Sequence, residues 1–118
     1  MGFDRRLKTR SESRNGVARI ALSGELDLAT APYLAIQLEP FQSNGVSAIV
    51  LDLGEVTFID SSGLHALVRA SKRAKANGKP LILIGTRPSA RRVIEITGTD
   101  FLLEDQDDFG VLRRFARP

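Results

Sequence analysis

Three observations predict an α/β domain built on a mixed β-sheet. An Asn15-Gly16 turn joins two alternating runs near the N-terminus, short apolar runs then alternate with segments of helical period, and Pro and Gly punctuate the helical segments at their starts and ends. The leading hairpin supplies an antiparallel pair. The alternation behind it supplies parallel strands joined by right-handed crossovers. The 118 residues are expected to form a single domain, 1–118, large enough to bury its own core.

Residues Phe3 to Ser11 alternate loosely, Phe3, Leu7 and Thr9 against Arg6, Lys8 and Arg10, and the charged side suits an edge strand. Asn15-Gly16 tolerates φ > 0 at both positions, as a type I′ turn requires. Val17 to Leu22 alternates again, with Ala18, Ile20 and Leu22 on one face. After Gly24-Glu25-Leu26-Asp27 the period changes. Thr30 is placed to cap a helix with Pro32 in its first turn, and Leu34, Leu38 and Phe41 follow at helical spacing until Pro40 ends or kinks it near Glu39. Ser43-Asn44-Gly45 reads as a loop.

Ala48 to Leu53 is nearly all apolar, the pattern of a strand covered on both faces, and Val56 to Ile59 carries the apolar run up to Asp60. From Ser61 the period is helical: Leu64, Leu67, Val68 and Ser71 form the inner stripe, Arg69, Lys72, Arg73 and Lys75 the outer one, and Asn77-Gly78 the stop. Leu81 to Ile84 is the next buried strand. Pro88 opens a helix carrying Val93, Ile94 and Thr97 that stops at Gly98. A last short strand is expected over Phe101 to Leu103. A terminal helix is expected over Asp105 to Arg117, acids at its start and arginines at its end, packed down by Phe109, Leu112 and Phe115.

The composition narrows the function classes. The absence of cysteine rules out disulfides, thiolate chemistry and Cys-ligated zinc, and a single histidine gives no basis for a His-built metal site. No metal or cofactor is expected. Lys and Arg exceed Asp and Glu by 17 to 14, but the basic residues are dispersed and the aromatics are nearly all Phe at apolar positions. The excess charge reads as solvated surface, with no direct contact to nucleic acid or membrane. Met1 to Ser13 has no apolar signal-like core and no run is long enough to span a bilayer, so a cytoplasmic protein, monomeric by default, is expected.

One segment carries chemistry. Phe58-Ile59-Asp60-Ser61-Ser62-Gly63-Leu64 lies between a strand and a helix, with two hydroxyl residues where the helix begins. The unpaired N–H groups and positive partial charge of a helix start would receive a phosphate on such a serine. The same cluster is a good N-cap, and one hydroxyl can cap while its neighbour faces solvent; the spacing does not say which does which. Gly63 would leave the approach to this turn open. Asp27 has two readings, an interface carboxylate near Ser61 or a cap for the helix that follows. His65 lies one turn after Ser61, as a surface or interface residue without an orienting acid.

The stretch VTFIDSSGLHALVRA, Val56 to Ala70, resembles the phosphorylation-site signature of STAS-domain anti-sigma factor antagonists, and SGELDLATAPYL, Ser23 to Leu34, resembles that family's approach to its first helix. The likeness covers roughly Val17 to Phe109. It implies a STAS-like fold and a protein that binds and does not catalyse. The first serine of the triplet, here Ser61, would accept a phosphate from an anti-sigma factor that is itself a serine kinase. The unphosphorylated form would bind that kinase and release the sigma factor, and a serine phosphatase would reset the switch. Asp27, Asp60, Ser62, Gly63, Leu64 and His65 are the expected partner-binding residues. Two features depart from what the resemblance leads one to expect: a histidine at 65 where some relatives carry a small residue, and the net basic charge.

Two rivals remain. The same domain type also serves as a regulatory subunit of stressosomes and of membrane transport systems. An enzyme is the other, but a serine hydrolase calls for a Gly-x-Ser-x-Gly elbow with separate His and acid, and a receiver domain with Asp52 or Asp60 as acceptor calls for an acidic pair that Glu25 and Asp27 match poorly.

Overall fold

The computed structural model describes residues 7–42, 45–99, 102 and 113. Asn15 and Gly16 sit at φ 55° and 78°, and Arg14 pairs directly with Val17 across them, so the hairpin closes with the expected two-residue turn. Its strands are β1, Leu7–Arg14, and β2, Val17–Leu26. Then follow α1 (Ala31–Leu38) with a short 3-10 turn (Glu39–Phe41), β3 (Ala48–Ile59), α2 (Ser61–Ala76), β4 (Leu81–Ile84) and α3 (Pro88–Ile96). The sheet order is β1-β2-β3-β4, antiparallel at β1 and parallel thereafter.

Register explains the core. Ile20, Leu51 and Leu83 lie side by side across the three parallel strands, all at most 1% exposed. On that face they join Leu34 and Leu38 of α1, Leu64 and Leu67 of α2, and Ile94 of α3. Val17, Ala48, Val50 and Ile82 alternate to the opposite face and form a smaller buried cluster. Truncating Leu51 would leave a cavity where strand and helix layers meet. Leu51→Ala is expected to lose about 2–5 kcal/mol in denaturant melts, and a loss under about 1 kcal/mol would contradict this packing.

Three local features differ from the sequence reading. First, β2 continues to Leu26 and β3 runs unbroken to Ile59. Two register shifts, between Ala21 and Ser23 and between Gly24 and Glu25, each give β3 an extra residue, so a bulged strand looks like a strand with a loose tail. The first bulge is pinned by Asp52, whose Oδ1 accepts the Gly54 N–H at 2.9 Å while its Oδ2 pairs with Arg19 at 2.7 Å. Arg87 donates from Nε to the Gly54 carbonyl at 2.8 Å. Second, Thr30 sits at the N-cap of α1 without a side-chain capping bond. Its hydroxyl donates to the Glu25 carbonyl at 2.7 Å instead. Third, Leu102 is not in a strand: it lies in a 3-10 turn, its N–H donating to the Thr99 carbonyl at 2.9 Å. Phe101 and Leu103 lie outside the described residues. So does the expected helix Asp105–Arg117, apart from Arg113, which is helical. The end of α1 at Leu38, with Glu39 as its C-cap and a 3-10 turn beyond, agrees with the stop near Glu39 that Pro40 predicts.

The candidate phosphoacceptor loop

The two bulges have a positional consequence. They bring Leu26 and Ile59 level, so β2 and β3 end side by side and their following loops, at Asp27 and Asp60, emerge together. The Asp60 N–H donates to the Leu26 carbonyl at 3.2 Å, tying one loop to the end of the other strand. Asp60 is also the N-cap of α2: at φ −107° and ψ −172° it is extended, and its Oδ1 accepts the Gly63 N–H at 2.9 Å. Asp60, not a serine, therefore satisfies the first turn. Ser61 stands exposed at the first helical position and Ser62 half-buried at the second. Neither hydroxyl makes a hydrogen bond among the described residues.

Removing the cap tests this assignment. Asp60→Ala is expected to cost about 1 kcal/mol of stability. Asn should restore most of it, since its side-chain oxygen also accepts. Equal losses in both variants, read by thermal melts, would mean that the carboxylate does not act as a cap.

Gly63 and Leu64 face inward. A Cβ at Gly63 would collide with the Leu26 carbonyl, whose oxygen it would overlap and whose carbon lies 2.7 Å away. The glycine is needed because the first turn of α2 rests on the end of β2, not because it opens the approach from solvent. Leu64 is 2% exposed and belongs to the core. The expectation that Leu64 meets a partner is corrected accordingly: its side chain holds the loop from beneath, while Gly63, which has no side chain, lets α2 rest on β2.

Asp27 closes the turn that precedes α1, whose N-cap is Thr30. Its Oδ1 accepts the N–H groups of Ala29 and Thr30 at 3.0 and 3.1 Å, and the Ala31 N–H reaches its carbonyl at 2.8 Å. This turn holds Leu28 out at 75% exposure. His65 is exposed and shares an open groove of about 380 Å³ with Leu28, Ala31, Pro32, Ser62 and Arg69. On the β3 side Phe58 is 51% exposed. Leu28 and Phe58 were not singled out from the sequence. The available signal was positional: a leucine inside a capped turn and a phenylalanine next to a bulge have no core-facing period to satisfy.

Among the described residues no three His, Cys, Asp or Glu side chains gather as a metal site, and no helix is long and apolar enough to cross a membrane. A family model described as the STAS domain matches residues 8–109. The chain belongs to the STAS-domain family. The STAS domain is 34% identical over 84 residues to the anti-sigma-B factor antagonist of Staphylococcus aureus, spanning 71% of this chain and 78% of that one. It is 35% identical over 85 residues to the anti-sigma-B factor antagonist of Listeria monocytogenes, spanning 72% and 75%. In three dimensions it is similar to an anti-sigma factor antagonist from Mycobacterium paratuberculosis, with a TM-score of 0.72, 29% identity, and coverage of 94% of this chain and 95% of that one.

Proposed function

We propose that this STAS domain is an anti-sigma factor antagonist that works by partner switching, with Ser61 as its phosphate acceptor. The observation that carries the reading is the division of labour at the start of α2. Asp60 supplies the cap, so the adjacent Ser61 is exposed with its hydroxyl uncommitted, on a loop flanked by the exposed Leu28 and Phe58. Asp27, Asp60, Ser62 and His65 complete the docking surface.

In the unphosphorylated state this surface binds a serine-kinase anti-sigma factor, which then releases its sigma factor. The kinase transfers the γ-phosphoryl group of ATP to Ser61 Oγ; the hydroxyl proton leaves, the bond to the β-phosphate oxygen breaks, and ADP departs. The new group brings about −1.5 to −2 charges near neutral pH. The positive end of α2 tolerates that charge within the STAS domain. Beside Asp60 and Asp27 it makes the docking surface strongly anionic and bulky, so the complex dissociates. A serine phosphatase restores the binding form. The domain supplies a surface and an acceptor; nucleotide, magnesium and phosphoryl-transfer chemistry belong to the kinase. The setting is the cytoplasm, and the domain acts as a monomer without a cofactor of its own.

Incubation with ATP, magnesium and purified candidate anti-sigma kinases, followed by intact-mass analysis and site mapping, tests the acceptor. One phosphate on Ser61 is expected, absent in Ser61→Ala and retained in Ser62→Ala. A phosphate mapped to Ser62, or a hydroxylamine-labile one on an aspartate, would overturn the assignment.

A further inference from the structure

The groove at Ser62 does not stop at the phosphoacceptor loop. A second hollow of about 310 Å³ adjoins it and shares Ala31, Pro32 and Arg69, so a single channel runs from the loop along the seam of α1 and α2. Its floor is low because Ala35, Ala66 and Ala70 line it. The two walls differ sharply. Helix α1, APYLAIQL, carries no charge and turns Pro32, Ala35 and Ile36, neighbours at helical spacing, to solvent, with Ile36 62% exposed. Helix α2 carries Arg69, Lys72, Arg73 and Lys75 and no acid. Arg73 is paired with Glu39 at 2.9 Å, both exposed. Arg69 is exposed, overlooks both hollows, and has no ion pair among the described residues.

A solvated arginine beside an apolar channel calls for a partner with one apolar and one acidic side. We propose that the α1–α2 channel is a second docking surface that receives an acidic amphipathic segment of the anti-sigma kinase. Its small apolar side chains lie on the alanine floor and against Pro32, and its carboxylates pair with Arg69. The inference rests on the partner-switching reading and deepens it. The channel is continuous with the Ser61 loop, so one partner can cover both. Arg69 lies eight residues along α2 from Ser61, about 12 Å and more than a Debye length at physiological salt, so its contact supplies affinity common to both states, while the loop supplies the switch.

The test is calorimetric titration of the full STAS domain with the kinase that phosphorylates Ser61, at low and high salt, using Arg69→Glu, Ala35→Trp and Ser61→Asp. Arg69→Glu should weaken binding ~10-fold or more and flatten its salt dependence, and Ala35→Trp, which fills the channel from an exposed position, should weaken it comparably. Unchanged melting temperatures would show that both variants are folded, and both should still be phosphorylated on Ser61 at saturating kinase. Near-wild-type affinity in both channel variants, with Ser61→Asp weakened, would overturn the channel proposal and leave the switch intact. Failure of all three to change binding, or no binding by the wild type, would overturn both. Sedimentation analysis covers the other occupant: a wild-type dimer lost in Arg69→Glu would assign the channel to a second copy of this chain and overturn the proposal.

Discussion

Gly63→Ala is expected to destabilise the domain by about 3 kcal/mol or more, at the upper end of what one added methyl costs in a packed region. The physical reason is the identity of the obstacle. The new Cβ meets the Leu26 carbonyl carbon at 2.7 Å and overlaps its oxygen, and backbone cannot swing aside as the tip of a side chain can. That oxygen also accepts the Asp60 N–H at 3.2 Å, and Asp60 in turn caps α2 through the Gly63 N–H at 2.9 Å. Pushing α2 away from β2 therefore strains the cap and the tie between the two loops together. Denaturant melts should show a large loss of stability, and partner binding should fall with it. A variant as stable as the wild type would mean that α2 does not rest on β2 as described.

The second large effect concerns binding. Ser61→Asp is expected to weaken kinase binding ~10- to 100-fold, matching a coupling of about 1–3 kcal/mol, whereas Ser61→Ala should bind like the wild type and resist phosphorylation. The contrast separates charge from loss of the hydroxyl. Neither variant should change stability greatly, because Ser61 is exposed and the cap is Asp60. Surface plasmon resonance with immobilised kinase would measure it. Equal affinities for all three forms would remove the electrostatic basis of the switch.

The fold was legible where a residue type has one conformational use. Asn15-Gly16 announced a type I′ turn, and the Leu64, Leu67 and Ser71 stripe announced the inner face of α2. It was less legible where register depends on the neighbouring strand. Nothing in Leu53 to Phe58 alone shows that β3 carries two residues more than β2 over the same span, because a bulge is a property of the pair. Capping shows the same limit. Asp60, Ser61 and Ser62 are all competent caps, and Asp60 takes the bond; Thr30 stands at the N-cap of α1 without one, its own N–H accepted by Asp27 Oδ1 in the preceding turn. The candidate loop was picked out from the sequence as a segment. Its surface was not: Leu64 is core, while Leu28 and Phe58, which the sequence pattern did not single out, are exposed. Residues expected in the terminal helix, Phe109, Leu112 and Phe115, lie outside the described residues.

The proposed switch is tested most directly by sigma-factor release. A preformed complex of the anti-sigma kinase with labelled sigma factor is titrated with the STAS domain in its unphosphorylated and Ser61-phosphorylated forms, and free sigma factor is followed by fluorescence anisotropy. The account predicts release by the unphosphorylated form and by Ser61→Ala, and little or none by the phosphorylated form at the same concentration. Equal release by both forms, or release by neither, would contradict it.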